Sequence, residues 1–190
     1  MARIYILLGC KGSGKSTFGR LLAKEYGCPF VDVDDVIQKM YGVSPRDLYK
    51  AKGVSAFMMA EEQACKKISE LCRGKDVIIS TGGGICDNPP ALTNLPGDGT
   101  YVYLKTDPAI IVQRIVADAE KKGDLLSNLP AYAQHENFES KEEVIEWLEA
   151  FYTERSDQYN NICDLIVEIK NASIQDNLKD LIKALDEYKG

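Results

Sequence analysis

Short apolar runs alternate along the chain with stretches whose apolar residues recur at helical spacing. Residues 4–8 are apolar at successive positions and stop at Gly9, a pattern that predicts a strand buried on both faces. Phe18, Leu21 and Leu22 then set the period of a helix over residues 17–26. The alternation continues with a strand over 30–33, a helix through Val36, Ile37 and Met40 that ends near Gly42, and a short helix opened by Pro45. A long helical stretch from Gly53 carries Phe57, Ala60, Ala64, Ile68 and Leu71. Strands over 77–80, 101–104 and 165–169 follow, with helices over 108–120 and from the N-cap Ser173 to about Tyr188. Such alternation predicts a single α/β domain over 1–190, with a five-stranded parallel sheet between two helical layers.

Composition narrows the chemistry. With 190 residues, 45% apolar and 27% charged, the chain can bury one core. A formal net charge of −6 argues against nucleic acid or an anionic membrane as partner. The one histidine, His135, excludes a two-histidine metal site within the chain and reads as a loop residue. Six cysteines without a C-x-x-C pair read as buried thiols. Neither a secretory leader nor a membrane span is visible, so a cytoplasmic monomer is expected.

The sharpest motif is Gly9-Cys10-Lys11-Gly12-Ser13-Gly14-Lys15-Ser16, which satisfies G-x-x-x-x-G-K-[ST] between a buried strand and a helix. Glycines there let backbone N–H groups converge on phosphate oxygens, and the helix N-terminus adds partial positive charge. A nucleoside triphosphate is therefore expected on Gly12, Ser13, Gly14, Lys15, Ser16 and Thr17, with Lys15 at the terminal phosphates and Ser16 on Mg²⁺. No N-K-x-D and no acid closing strand 77–80 is present, which argues against a switch GTPase or a motor ATPase. The magnesium-side carboxylate is sought in Asp32-Val33-Asp34-Asp35, at the end of the second strand. On an extended strand Asp32 and Asp34 would point the same way, one for a metal and one for a proton, while Asp34 or Asp35 could instead cap the next helix.

These residues are similar to the shikimate kinase family, which has the nucleoside-monophosphate-kinase fold. The resemblance runs through GCKGSGKST, PFVDVDDVI, GVSAFMMAE, STGGGI at 80–85, YVYLKTDP, Arg114 and TERSDQY at 153–159. It implies a three-layer α/β/α P-loop kinase fold with a mobile lid at 121–140 and an acceptor-binding helical region at 34–73. The activity implied is transfer of phosphate from ATP to a small hydroxyl acceptor, shikimate giving shikimate 3-phosphate, with Mg²⁺. Asp32 resembles the family's metal-side acid and Asp34 its acceptor-hydroxyl partner and candidate base. Gly82, Gly83 and Gly84 would line the acceptor site, Arg114 would serve the nucleotide, and Arg155 would grip the acceptor carboxylate. Independently, Val144, Leu148, Phe151 and Arg155 fall at spacings of 4, 3 and 4, so Arg155 continues an inward stripe.

Two positions depart from the family pattern. Its F-R-x-x-E reads Phe57-Met58-Met59-Ala60-Glu61 here, so a carboxylate-binding guanidinium is missing. Either another cation such as Lys11 meets the carboxylate or the acceptor differs. The lid motif R-P-L-L is replaced by Gly123-Asp124-Leu125-Leu126, preceded by Lys121 and Lys122, which either reach the transferring phosphate or are solvated. The chain is also longer than the family's between Leu126 and Arg155. Two other readings stay open: a kinase of a different small acceptor, and a nucleotide-binding homologue without transfer activity.

Overall fold

The apolar runs form strands whose successive side chains enter opposite cores. In the computed structural model, which describes residues 2–134 and 136–189, β1 (Ile4–Leu8) sends Ile4, Ile6 and Leu8 into one cluster and Leu7 into the other. The same split places Val77 and Ile79 of β3 (Val77–Ser80) opposite Ile78, and Tyr103 of β4 (Thr100–Thr106) opposite Val102 and Leu104. With β2 (Phe30–Asp32) and β5 (Leu165–Ile169) they make a parallel sheet in the order β2-β3-β1-β4-β5. This is the α/β P-loop kinase architecture expected from the sequence.

One face of the sheet is covered by α1 (Lys15–Tyr26) and α8 (Ile174–Glu187), through Phe18, Leu22, Leu181 and Leu185. The other carries α2 (Val33–Tyr41), α3 (Pro45–Cys72), α4 (Pro89–Thr93), α5 (Pro108–Lys121) and α7 (Lys141–Ile162). The chain leaves β1 towards β2 but leaves β3 towards β4, so its connections part in opposite directions at neighbouring strands. A crevice opens at the carboxyl ends where that happens.

Three local outcomes matter for the site. The second strand stops at Asp32 rather than at Val33, and Asp32 is the N-cap of α2, its Oδ1 accepting from the Asp34 backbone N–H at 3.1 Å. The alternation argument for Asp32 and Asp34 therefore does not apply, and neither Asp34 nor Asp35 caps the helix. Helix α3 is broken at Gly53, whose φ of 79° and ψ of 179° separate the short helix opened by Pro45 from the longer one. Residues 121–140, irregular in periodicity, contain the single turn α6 (Leu125–Asn128) and a 3-10 turn (Ala131–Ala133). His135 lies outside the described residues.

Candidate active site

The phosphate loop starts from β1 and ends on Gly14, the N-cap of α1, in the left-handed region at φ 96°. A Cβ there would be strained and would meet the Phe18 ring at 2.9 Å, so glycine alone fits. Lys15 is buried, and its Nζ donates to the Gly9 and Cys10 carbonyls at 2.7 and 3.0 Å. An ammonium has three donors, so one remains for a phosphate oxygen. Burial pushes the Lys15 ammonium down to about 8. From α5, Arg114 Nη1 reaches the Gly12 carbonyl at 2.9 Å and braces the loop. Ser13 differs from its neighbours: its side chain is fully buried, and its backbone N–H is taken by the Cys10 carbonyl at 3.2 Å.

Beside the loop, Ser16 Oγ donates to Asp32 Oδ2 at 2.7 Å. The cap on α2 thus holds Asp32 with one oxygen on the helix and the other on the first turn of α1. This hydroxyl–carboxylate pair is a hard oxygen donor set, the kind Mg²⁺ uses when phosphates and waters complete its shell. Asp34, two residues on, also lines the cleft, and burial, reinforced by the Asp32 charge, raises its carboxyl above the usual range.

The far wall is the glycine turn after β3. A Cβ on Gly83 would sit 2.7 Å from the Lys11 backbone nitrogen, so the two loops approach too closely for any side chain. Arg155, buried on α7, donates to the Gly83 carbonyl at 3.0 Å, pairs with Asp87 and lies 4.3 Å above the Phe151 ring and 5.2 Å from that of Tyr132. Its stripe is as expected at Val144 and Leu148. Tyr152, rather than the half-buried Phe151, is fully buried beside it.

A cleft of about 720 Å³ gathers these groups. Lys11, Gly12, Gly14, Lys15, Ser16, Thr17, Asp32, Asp34, Gly82, Gly83, Gly84, Arg114 and Arg155 all line it, and Ser13 does not. Lys122 reaches the wall but is paired with Asp118 at 2.6 Å, and Lys121 is not on it. The wall also holds polar residues that went unassigned in the sequence, Arg46, Glu61, Asp87 and Asn88 among them. Asn88 Nδ2 donates to Glu61 Oε2 at 2.9 Å, while Glu61 Oε1 is buried without a partner and lies 2.6 Å from where a Gly82 Cβ would stand. Burial pushes the Glu61 carboxyl up to about 7. The available signal was an acid in the apolar stripe of Ala60, Ala64 and Ile68.

A phosphate loop at the sheet's crevice, with carboxylates at the next strand end, defines the class as a small-molecule phosphate-loop kinase. A family model described as shikimate kinase matches residues 11–186. The chain belongs to the shikimate kinase family. A shikimate kinase of Legionella pneumophila is 30% identical over 96% of this chain and 94% of its own length. One from Caldanaerobacter subterraneus is 27% identical over 97% of both. Among solved structures, shikimate kinase from Acinetobacter baumannii in complex with shikimate superposes with a TM-score of 0.75 at 25% identity, covering 100% of this chain and 96% of that one. The Aquifex aeolicus shikimate kinase gives 0.70 at 28%, covering 96% of each.

Proposed function

We propose that this chain transfers the γ-phosphate of ATP to a ring hydroxyl of shikimate, giving shikimate 3-phosphate. The supporting observation is a single cleft in which the phosphate loop, Asp34 and the Gly82–Gly84 and Arg155 wall face one another. Lys15, with its third donor, and the backbone N–H groups around Gly12, Gly14 and Ser16 hold the terminal phosphates and the charge that develops on them. Asp34 orients the acceptor hydroxyl and takes its proton, a role suited to a carboxyl with a raised pKa. Arg155 meets the acceptor carboxylate, Gly82, Gly83 and Gly84 border the acceptor ring, and Lys11 stands at the junction of the two subsites. Arg114 steadies the nucleotide through the loop it braces.

Mg²⁺ fits the Ser16–Asp32 pair, and when bound there it neutralises phosphate charge. Residues 34–73 form the acceptor-binding region in this reading, and 121–140 close over the cleft as a lid that excludes water. The described residues hold no helix long and apolar enough to cross a membrane, and all six cysteines carry free thiols. We place the protein in the cytoplasm, working as a monomer on small molecules. The test is ADP release with ATP, Mg²⁺ and shikimate. Lys15→Ala and Asp34→Ala should each lower kcat by at least about a hundredfold while melting normally. Near-normal turnover in Asp34→Ala would remove that residue from the chemistry. Met58 beside a half-partnered Glu61 favours the second reading, a kinase of another small acceptor, for which ADP appears only with that acceptor.

A further inference from the structure

The acceptor end of the cleft has a charge deficit that the proposed function has to resolve. A carboxylate is best held by free guanidinium forks. Arg155 is only partly free: its Nη1 is on the Gly83 carbonyl and its Nη2 is paired with Asp87, so both terminal nitrogens already have a protein partner. At the family's other arginine position stands Met58, whose carbonyl accepts from Asn88 Nδ2 at 2.9 Å, and the nearby Glu61 Oε1 is buried without a hydrogen-bond partner. An incoming carboxylate thus meets Glu61, Asp87 and Asp34 in a cleft where Lys15 is committed to the phosphate loop and Arg155 is already paired with Asp87, leaving Lys11 and Arg46 among the other cations of the wall.

Arg46 lines the same cleft. It occupies the first turn of α3, after the N-cap Ser44 and Pro45. A cation at a helix N-terminus opposes the helix dipole, and the acid of this first turn, Asp47, is bonded by Ser44 Oγ rather than by Arg46. Among the described residues Arg46 has no carboxylate partner. Its two described hydrogen bonds, to the Ser127 and Leu129 carbonyls at 3.2 Å each, both leave from Nη2. Nη1 and Nε–H remain to meet an anion. The segment it holds leads through Pro130 to Tyr132, whose ring lies 5.2 Å from the Arg155 guanidinium, so the 127–132 segment touches both arginines.

We propose that Arg46 is the second carboxylate-binding guanidinium of the acceptor site, replacing from the start of α3 the arginine that Met58 displaces. This rests on the proposed function, since it requires a carboxylate-bearing acceptor. It assigns specificity to a residue outside the family motifs. The contact would also tie acceptor occupancy to the 127–132 segment, whose carbonyls Arg46 already holds.

The experiment compares shikimate with its uncharged methyl ester as acceptor, at saturating ATP, in the unsubstituted enzyme, Arg46→Ala, Arg46→Gln and Arg46→Ala/Met58→Arg. Loss of a charge-assisted contact should raise KM for shikimate in Arg46→Ala roughly ten- to hundredfold. KM for ATP and for the ester should stay within about twofold, and Met58→Arg should recover part of the loss. Arg46→Gln keeps an amide donor for the two carbonyls and should show the same selective loss if Arg46→Ala melts early. A shikimate KM within about twofold of normal in both variants overturns the assignment. An equal rise for acid and ester also overturns it, since Arg46 would then only brace the 127–132 segment. Failure of the unsubstituted enzyme to turn over shikimate overturns the proposed function and this assignment together, whereas normal turnover with unaffected variants overturns the assignment alone.

Discussion

Glu61 has one carboxyl oxygen on Asn88 and the other without a partner, and is 1% exposed. Below about pH 4.5 it carries a proton in both the folded and the unfolded chain. Between 4.5 and about 7 the folded chain keeps a proton that the unfolded chain has released, so stability falls as pH rises through that window. The loss is on the order of 3 kcal/mol and is complete above the folded value. Urea unfolding at pH 5 and pH 7.5 should therefore show a smaller drop in Glu61→Gln than in the unsubstituted protein. Equal drops would mean that Glu61 titrates normally. At this scale the phosphate loop was legible because its chemistry is local: Lys15 and Ser16 act beside the glycines that shape them. Asp87 as the partner of Arg155 was not, since 68 residues separate them and only the fold brings them together.

Helix α3 shows what an element can hide. Proline at its start and the apolar stripe after Gly53 each announced a helix, yet the break between them depends on one backbone conformation. Nothing lies within 4 Å of where a Gly53 Cβ would be, so Gly53→Ala would meet no clash and only backbone strain. A loss of about 1–3 kcal/mol in chemical unfolding is expected. An unchanged midpoint would show that the break straightens freely and that Gly53 does not hold Pro45 and Arg46 at the cleft rim. The strands were readable because burial on both faces leaves continuous apolar runs. The end of β2 was misjudged by one residue because a side-chain bond from Asp32 to the Asp34 N–H, invisible to hydrophobic patterning, starts α2 there.

Across the whole molecule, the net charge of −6 coexists with a cleft in which Lys11, Lys15, Arg46, Arg114 and Arg155 converge. A global total says little about a site of this size; what matters is which cations are already paired. The segment from 121 to 140 was the least readable part because distant residues hold it: Arg46 donates to the Ser127 and Leu129 carbonyls and Tyr132 hydrogen-bonds Tyr152, while Gln134 reaches the same two carbonyls from within the segment. The aromatic stack beneath Arg155 extends beyond the cleft: Phe151 is stacked 5.0 Å from Trp147, the one tryptophan in the chain. The protein therefore carries an intrinsic optical reporter two rings from Arg155 in the cleft wall. Shikimate should change the Trp147 emission in a saturable titration without ATP, and Arg155→Ala should abolish the change. A titration that leaves the emission flat while turnover proceeds would show that the stack does not sense the acceptor. A working signal would give acceptor affinities directly, free of any coupling enzyme and open to stopped-flow timing of binding against transfer.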